Sequence, residues 1–143
     1  GNDRSQIMAV ANKEASIAIA NTYYIGIMLS GKGGEEQLKA AKKVKIAFPN
    51  QKNRGAHINI SGGGILKHAP NKENAEKFLE FLLSEKAQTH IVNNTFEYPV
   101  LGTVKPHPII NNFGEFKMDK TSVADFGKFN PDAVKLMDRV NWQ

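Results

Sequence analysis

Short apolar runs of β-branched residues alternate with segments of helical period along this chain, and that alternation limits the fold more than any other feature. Ile7, Met8, Val10 and Ala11 recur at helical spacing, and Asp3 with Gln6 three residues on resembles a capping box. A first helix is therefore predicted over about 4–13. Ala15-Ser16-Ile17-Ala18-Ile19-Ala20 then reads as a buried strand. Asn21 and Thr22 are good N-caps, so a helix is expected to begin at Tyr23-Tyr24 and to stop near the Ser30–Gly34 breaker. A third helix over 35–43 and a second strand over 44–48 follow.

After a polar turn at 49–55, His57-Ile58-Asn59-Ile60 alternates as a half-buried strand does, before Ser61-Gly62-Gly63-Gly64 interrupts it. Asn71 should cap an amphipathic helix with Ala75, Phe78, Leu79, Leu82 and Leu83 on one face, and Ser84 restarts it over 85–92. Tyr98 is held extended by the following Pro99. Residues 101–129 read as irregular, and Asn130-Pro131 as the start of a last helix carrying Ala133, Val134, Leu136, Met137 and Val140.

These elements indicate an α/β fold with too few strands to make a covered sheet alone, so the chain reads as part of something larger. Its 143 residues, 41% hydrophobic and 23% charged, are those of a globular chain rather than a disordered one. The longest apolar runs fall far short of the ~20 residues of a membrane helix. The absence of cysteine excludes disulfides, zinc–thiolate sites and cysteine nucleophiles. The polar start Gly1-Asn2-Asp3-Arg4 is no signal peptide, which fits either a cytosolic protein or a processed or truncated chain. A net charge of +5 raises nucleic acid as a partner, but the lysines (Lys39, Lys42, Lys43, Lys45; Lys72, Lys77, Lys86) are spread along helical stretches. No basic run is interleaved with aromatic stacking platforms, so solvated helix faces account for the charge better.

The segment richest in chemistry is Ala18-Ile19-Ala20-Asn21-Thr22-Tyr23-Tyr24-Ile25-Gly26. A strand running out into a helix N-terminus is where open α/β sheets place ligands. Two phenolates there would suit a hard cation, because a bound metal stabilises the deprotonated oxygen. Taken alone, however, the pair reads first as packing residues with buried rings and bonded hydroxyls. Other candidates are weaker. Ser61-Gly62-Gly63-Gly64 lacks the Lys-Ser/Thr of a phosphate loop and reads better as a hinge or bulge. His57, His68, His90 and His107 have no metal-ligand spacing. Tyr98 could approach a cleft but fits a packing role, and Asp119, Asp125, Asp132 and Asp138 look like turn and helix-surface residues. No nucleophile–base–acid set points to catalysis, so the chain is not expected to be an enzyme.

Several spaced segments together resemble the ferric-iron-binding subunits of bacterial and cyanobacterial ABC importers. They are Ile17-Ala18-Ile19-Ala20-Asn21-Thr22-Tyr23-Tyr24-Ile25-Gly26, Asn53-Arg54-Gly55-Ala56-His57-Ile58-Asn59-Ile60-Ser61-Gly62-Gly63-Gly64, Ala69-Pro70-Asn71-Lys72-Glu73-Asn74-Ala75, Glu97-Tyr98-Pro99-Val100 and Leu136-Met137-Asp138-Arg139-Val140. The resemblance implies a C-terminal fragment of a bilobal periplasmic-binding-protein fold of the class II type. It implies that Tyr23 and Tyr24 are Fe(III) ligands, with a small anion beside the metal and Asn21 and Thr22 as outer hydrogen-bonding partners. By the same resemblance, 1–52 belongs to the second lobe, 53–101 holds a hinge strand and helices against the first, and 102–143 returns to the second. The implied setting is the periplasm, and the implied partners are an ABC permease and either the missing N-terminal half or a second copy of the chain. The membrane would be met only through the permease, and no nucleic acid is expected. A same-fold receptor for a polyamine, thiamine or phosphonate is the main alternative, and a basic nucleic-acid-binding module the lesser one.

Overall fold

The computed structural model describes residues 1–142; Gln143, the last residue of the predicted tail, lies outside the described residues. The chain divides into two compact units.

The first unit comprises Gly1–Ala47 and Gly62–Glu115. Helices α1 (Asp3–Ala11), α2 (Thr22–Leu29) and α3 (Glu35–Ala41) pack on one another. Their shared core is Ile7, Ala11, Ile25, Met28, Ala40 and Ala41, with Met8, Tyr24, Leu29, Val44 and Ile46 partly buried against it. Asn2, not Asp3, caps α1: its Oδ1 accepts from Ser5 N at 3.0 Å. A capping box was expected from Asp3, but Asn2 is an equally good cap and lies one residue earlier.

Helices α4 (Lys72–Leu82) and α5 (Glu85–Thr95) form a hairpin. Ser84 restarts the chain as predicted, its Oγ accepting from Ala87 N at 3.3 Å. The joint is fixed by buried Gln88, whose Nε2 donates to Leu82 O at 2.8 Å and whose Oε1 accepts from Val100 N at 3.0 Å. Gln88→Leu would remove both side-chain bonds to the partly buried Leu82 carbonyl and Val100 amide. We expect it to lower unfolding free energy by about 1–3 kcal/mol, read from the denaturant midpoint. Helix α5 ends at Phe96, which adopts a left-handed conformation (φ 63°) and is almost wholly buried. A short helix α6 (Pro108–Asn111), not anticipated in the irregular 101–129 stretch, packs on α2. His107 caps it, its Nδ1 accepting from Ile109 N at 3.1 Å.

The second unit comprises Phe48–Ser61 and the chain from Phe116 onward. Phe48 and Phe116 stack with centroids 4.1 Å apart. Gln51 imitates a neighbouring strand: Lys117 N donates to its Oε1 at 2.7 Å, and its Nε2 donates to Lys117 O at 3.1 Å. Arg54 faces Asp119 at 3.6 Å. Helix α7 (Val123–Arg139) starts far earlier than the Asn130-Pro131 signal suggested and carries Pro131 inside it. Ser122, whose Oγ accepts from Ala124 N at 3.3 Å, and the acidic Asp125 in the first turn supply a stronger start.

The predicted strands at 15–20, 44–48 and 57–60 need correction. Among the described residues none joins a ladder, and the pairing found is an isolated parallel bridge between Ala56 and Met118. Ile17 and Ile19, expected to be buried, are 84% and 77% exposed. β-branched alternation favours a pleated surface, but a strand forms only against a neighbour that supplies hydrogen bonds. The apolar stripe predicted on α4 exists, yet Phe78, Phe81 and Leu83 remain exposed.

Candidate metal centre

Helix α2 (Thr-Tyr-Tyr-Ile-Gly-Ile-Met-Leu) is apolar all round, so it belongs in the interior, and Ile25, Gly26 and Met28 are buried. Gly26 allows that burial: a Cβ there would lie 2.8 Å from both Phe96 Cβ and Ile110 Cδ1. The close approach seats α2 against the end of α5 and against α6, and leaves its first turn at the margin of the unit.

Tyr23 and Tyr24 occupy that first turn, both partly buried. Successive side chains on a helix diverge by about 100°. Here the two rings nevertheless lie with centroids 4.3 Å apart and planes at 36°. Tyr24 leans on the core cluster. The pair thus satisfies part of the packing expectation and still brings two phenols together. The Tyr23 phenol is pushed up to about 12, above all by its hydrogen bond with Tyr24, then by burial and the charges of Tyr24, Asp3 and Glu97. Without a cation the Tyr23 phenol therefore stays protonated at neutral pH.

Asn21 and Thr22 are where the sequence placed them, at the N-cap and first residue of α2. Asn21 does not cap with its side chain; its backbone N and its Nδ2 both donate to Asp3 Oδ2, at 2.8 and 3.1 Å. Asp3 and Glu97 are the site neighbours that the sequence reading missed. No local pattern could have found them, since they reach Tyr23 across the fold from distant positions.

Tyr98 is partly buried, and burial pushes its phenol up. The His107 ring packs edge-on to Phe96 at 4.6 Å, and the His57 ring lies 5.1 Å from that of Phe126. Among the described residues no group of three or more His, Asp or Glu side chains could hold a metal ion. Also among the described residues, no helix is long and apolar enough to cross a membrane.

Residues 1–89 match the family described as bacterial extracellular solute-binding protein, and the chain belongs to that family. It is 46% identical over 143 residues to iron uptake protein A1 of Synechocystis sp., covering 100% of this chain and 39% of that protein. It is 31% identical over 103 residues to the major ferric iron-binding protein of Neisseria meningitidis, covering 72% of this chain and 28% of that one. Among solved structures, the Trichodesmium IdiA (FutA) protein in complex with iron and citrate superposes with a TM-score of 0.93 at 49% identity, covering 100% of this chain and 45% of that one. The ferric binding protein from Campylobacter jejuni superposes with a TM-score of 0.93 at 37% identity, with the same coverage of 100% and 45%.

The resemblance and fold class read from the sequence therefore hold. The chain is a partial segment of the bilobal binding-protein fold, helical over its described residues. It spans under half the length of the relatives just named, 39% of the cyanobacterial protein and 45% of each solved structure.

Proposed function

We propose that this chain is part of a non-enzymatic ferric-iron receptor that holds the ion by the phenolates of Tyr23 and Tyr24 and delivers it to an ABC permease from the periplasm. One observation carries the assignment: two phenols converge in the first turn of α2, in a chain whose relatives are named for iron uptake and for ferric iron binding. Ferric ion is a hard cation and prefers anionic oxygen. The free amides of a helix N-terminus favour negative charge, which suits the phenolates and a small anion beside the metal. Asn21 and Thr22 act as outer hydrogen-bonding partners. The site is completed by the remaining part of the fold, supplied as an N-terminal half or by a second copy. In that complete receptor 1–52 and 102–143 belong to the second lobe, and 53–101 pack against the first.

Chemistry dictates the pH dependence. Phenols bind iron only as phenolates, and Tyr23 is pushed up to about 12, so at neutral pH the ion must displace protons. Lowering the pH refills the phenols and weakens binding; raising it does the opposite. Apparent affinity should rise by up to about tenfold per pH unit for each ligating phenol, with matching proton release in an unbuffered titration. An affinity flat between pH 6 and 8 is the contrary result.

Calorimetric titration with ferric citrate, and separately with spermidine, thiamine and a phosphonate, tests the assignment. Heat from ferric citrate alone is expected. Saturable binding of an organic solute without iron binding would transfer the site to that solute, and salt-sensitive binding of nucleic acid would favour the basic-module alternative.

A further inference from the structure

Asp3 stands in the first turn of α1 but does no capping there, because Asn2 Oδ1 takes both Ser5 N at 3.0 Å and Ser5 Oγ at 3.1 Å. Its carboxylate turns instead to residue 21, eighteen positions on, and accepts two hydrogen bonds on the single oxygen Oδ2. The donors are the backbone and side-chain nitrogens of Asn21, at 2.8 and 3.1 Å. Asn21 has committed its side chain to Asp3 rather than to its own helix, although its residue type is among the best caps. Hydrogen bonds to a charged acceptor are roughly twice as strong as neutral ones. Two of them converging on one N-cap residue fix both its backbone and its side chain.

The geometry points to Asp3 as a positioning residue for the tyrosine pair, acting through Asn21 on the first turn of α2. This rests on the assignment of Tyr23 and Tyr24 as iron ligands. Those residues follow Asn21 by two and three positions, so the tilt of the N-cap sets the direction of both phenols. Asp3 itself donates no ligand atom in this account. Outer partners that orient metal ligands typically change metal affinity by about 10–100-fold when removed.

The test compares the wild-type chain with Asp3→Ala and Asp3→Asn. Iron affinity is measured by competition with citrate, and the ferric–phenolate absorption band is recorded alongside the melting temperature. Asp3→Ala is expected to weaken iron binding by about 10–100-fold and to shift the band. Asp3→Asn keeps an oxygen able to accept both bonds, without the charge that strengthens them, and is expected to recover part of the affinity and a band nearer that of the wild type. Wild-type affinity and band in Asp3→Ala would overturn the inference, since support of α1 alone predicts only a lower melting temperature. So would an Asp3→Asn variant as weak as Asp3→Ala, because charge rather than hydrogen bonding would then be at work.

Should Asp3→Ala fail to fold, Asn21→Ala removes one of the two bonds and keeps the carboxylate. A band shift with a smaller affinity loss supports positioning, and an unmoved band rejects it. Absence of iron binding in the wild-type chain complemented by the remaining part of the fold rejects the ligand assignment itself, and the role of Asp3 with it; a wild-type band indifferent to Asp3 rejects only the latter.

Discussion

The double substitution Tyr23→Phe with Tyr24→Phe is expected to lower ferric-iron affinity by more than about 100-fold, beyond the range seen when only outer partners of a metal site are removed. Phenylalanine keeps each ring, so the 4.3 Å ring pair and the contact of Tyr24 with the core survive while both oxygens are lost. The melting temperature should change little, because the hydroxyls are bonded mainly to each other and both residues are only partly buried. The single variants separate the two roles. Tyr23→Phe removes the phenol farther from the core cluster, and Tyr24→Phe the one leaning on it; each should cost binding, and the pair together should abolish it. Unchanged metal affinity in the double variant would sink the ligand assignment even if the protein binds iron.

Gly26→Val is expected to cost about 3 kcal/mol of stability, at the upper end of ordinary overpacking. Its Cβ would meet Phe96 Cβ and Ile110 Cδ1 at 2.8 Å, before the two further methyl groups are placed. Ile110 Cδ1 can swing aside, but Phe96 Cβ sits on a left-handed backbone with its ring buried against His107. The gain in helix propensity on replacing glycine is well under ~1 kcal/mol for a β-branched residue and does not offset the clash. Relief therefore comes from a shift of α2, which displaces the phenols. Denaturant unfolding should show the stability loss, and iron affinity should fall with it. A Gly26→Val protein of wild-type stability would mean that α2 does not depend on the close approach.

Local structure was legible wherever it rests on local chemistry. The Ser84 restart follows from its cap and the amphipathic α4 from periodicity, while the expected Asn21 and Asn71 stand at the N-cap positions of α2 and α4 without making side-chain cap bonds. What depends on partners was not legible. The run Ile17-Ala18-Ile19 has the pattern of a buried strand, yet pattern specifies a preference, and the neighbouring strand must come from elsewhere in the fold. Asn130-Pro131 offered a plausible helix start, but the Ser122 cap and the acidic Asp125 begin α7 a full two turns earlier, and the helix carries Pro131 inside it. The site divided in the same way. Tyr23, Tyr24, Asn21 and Thr22 are contiguous and could be named from the sequence, whereas Asp3 joins them through a contact spanning eighteen residues. The hydrogen bond with Tyr24 that raises the Tyr23 phenol is likewise a product of the packed first turn.

Visible absorption on adding ferric citrate bears most directly on the central claim. Phenolate bound to Fe(III) produces a charge-transfer band that neither citrate nor carboxylate ligation supplies. The chain, alone or complemented by the remaining part of the fold, should develop that band in proportion to bound iron, and the Tyr23→Phe/Tyr24→Phe variant should lack it. Iron bound without the band, or a band that survives in the double variant, would contradict phenolate ligation at the first turn of α2.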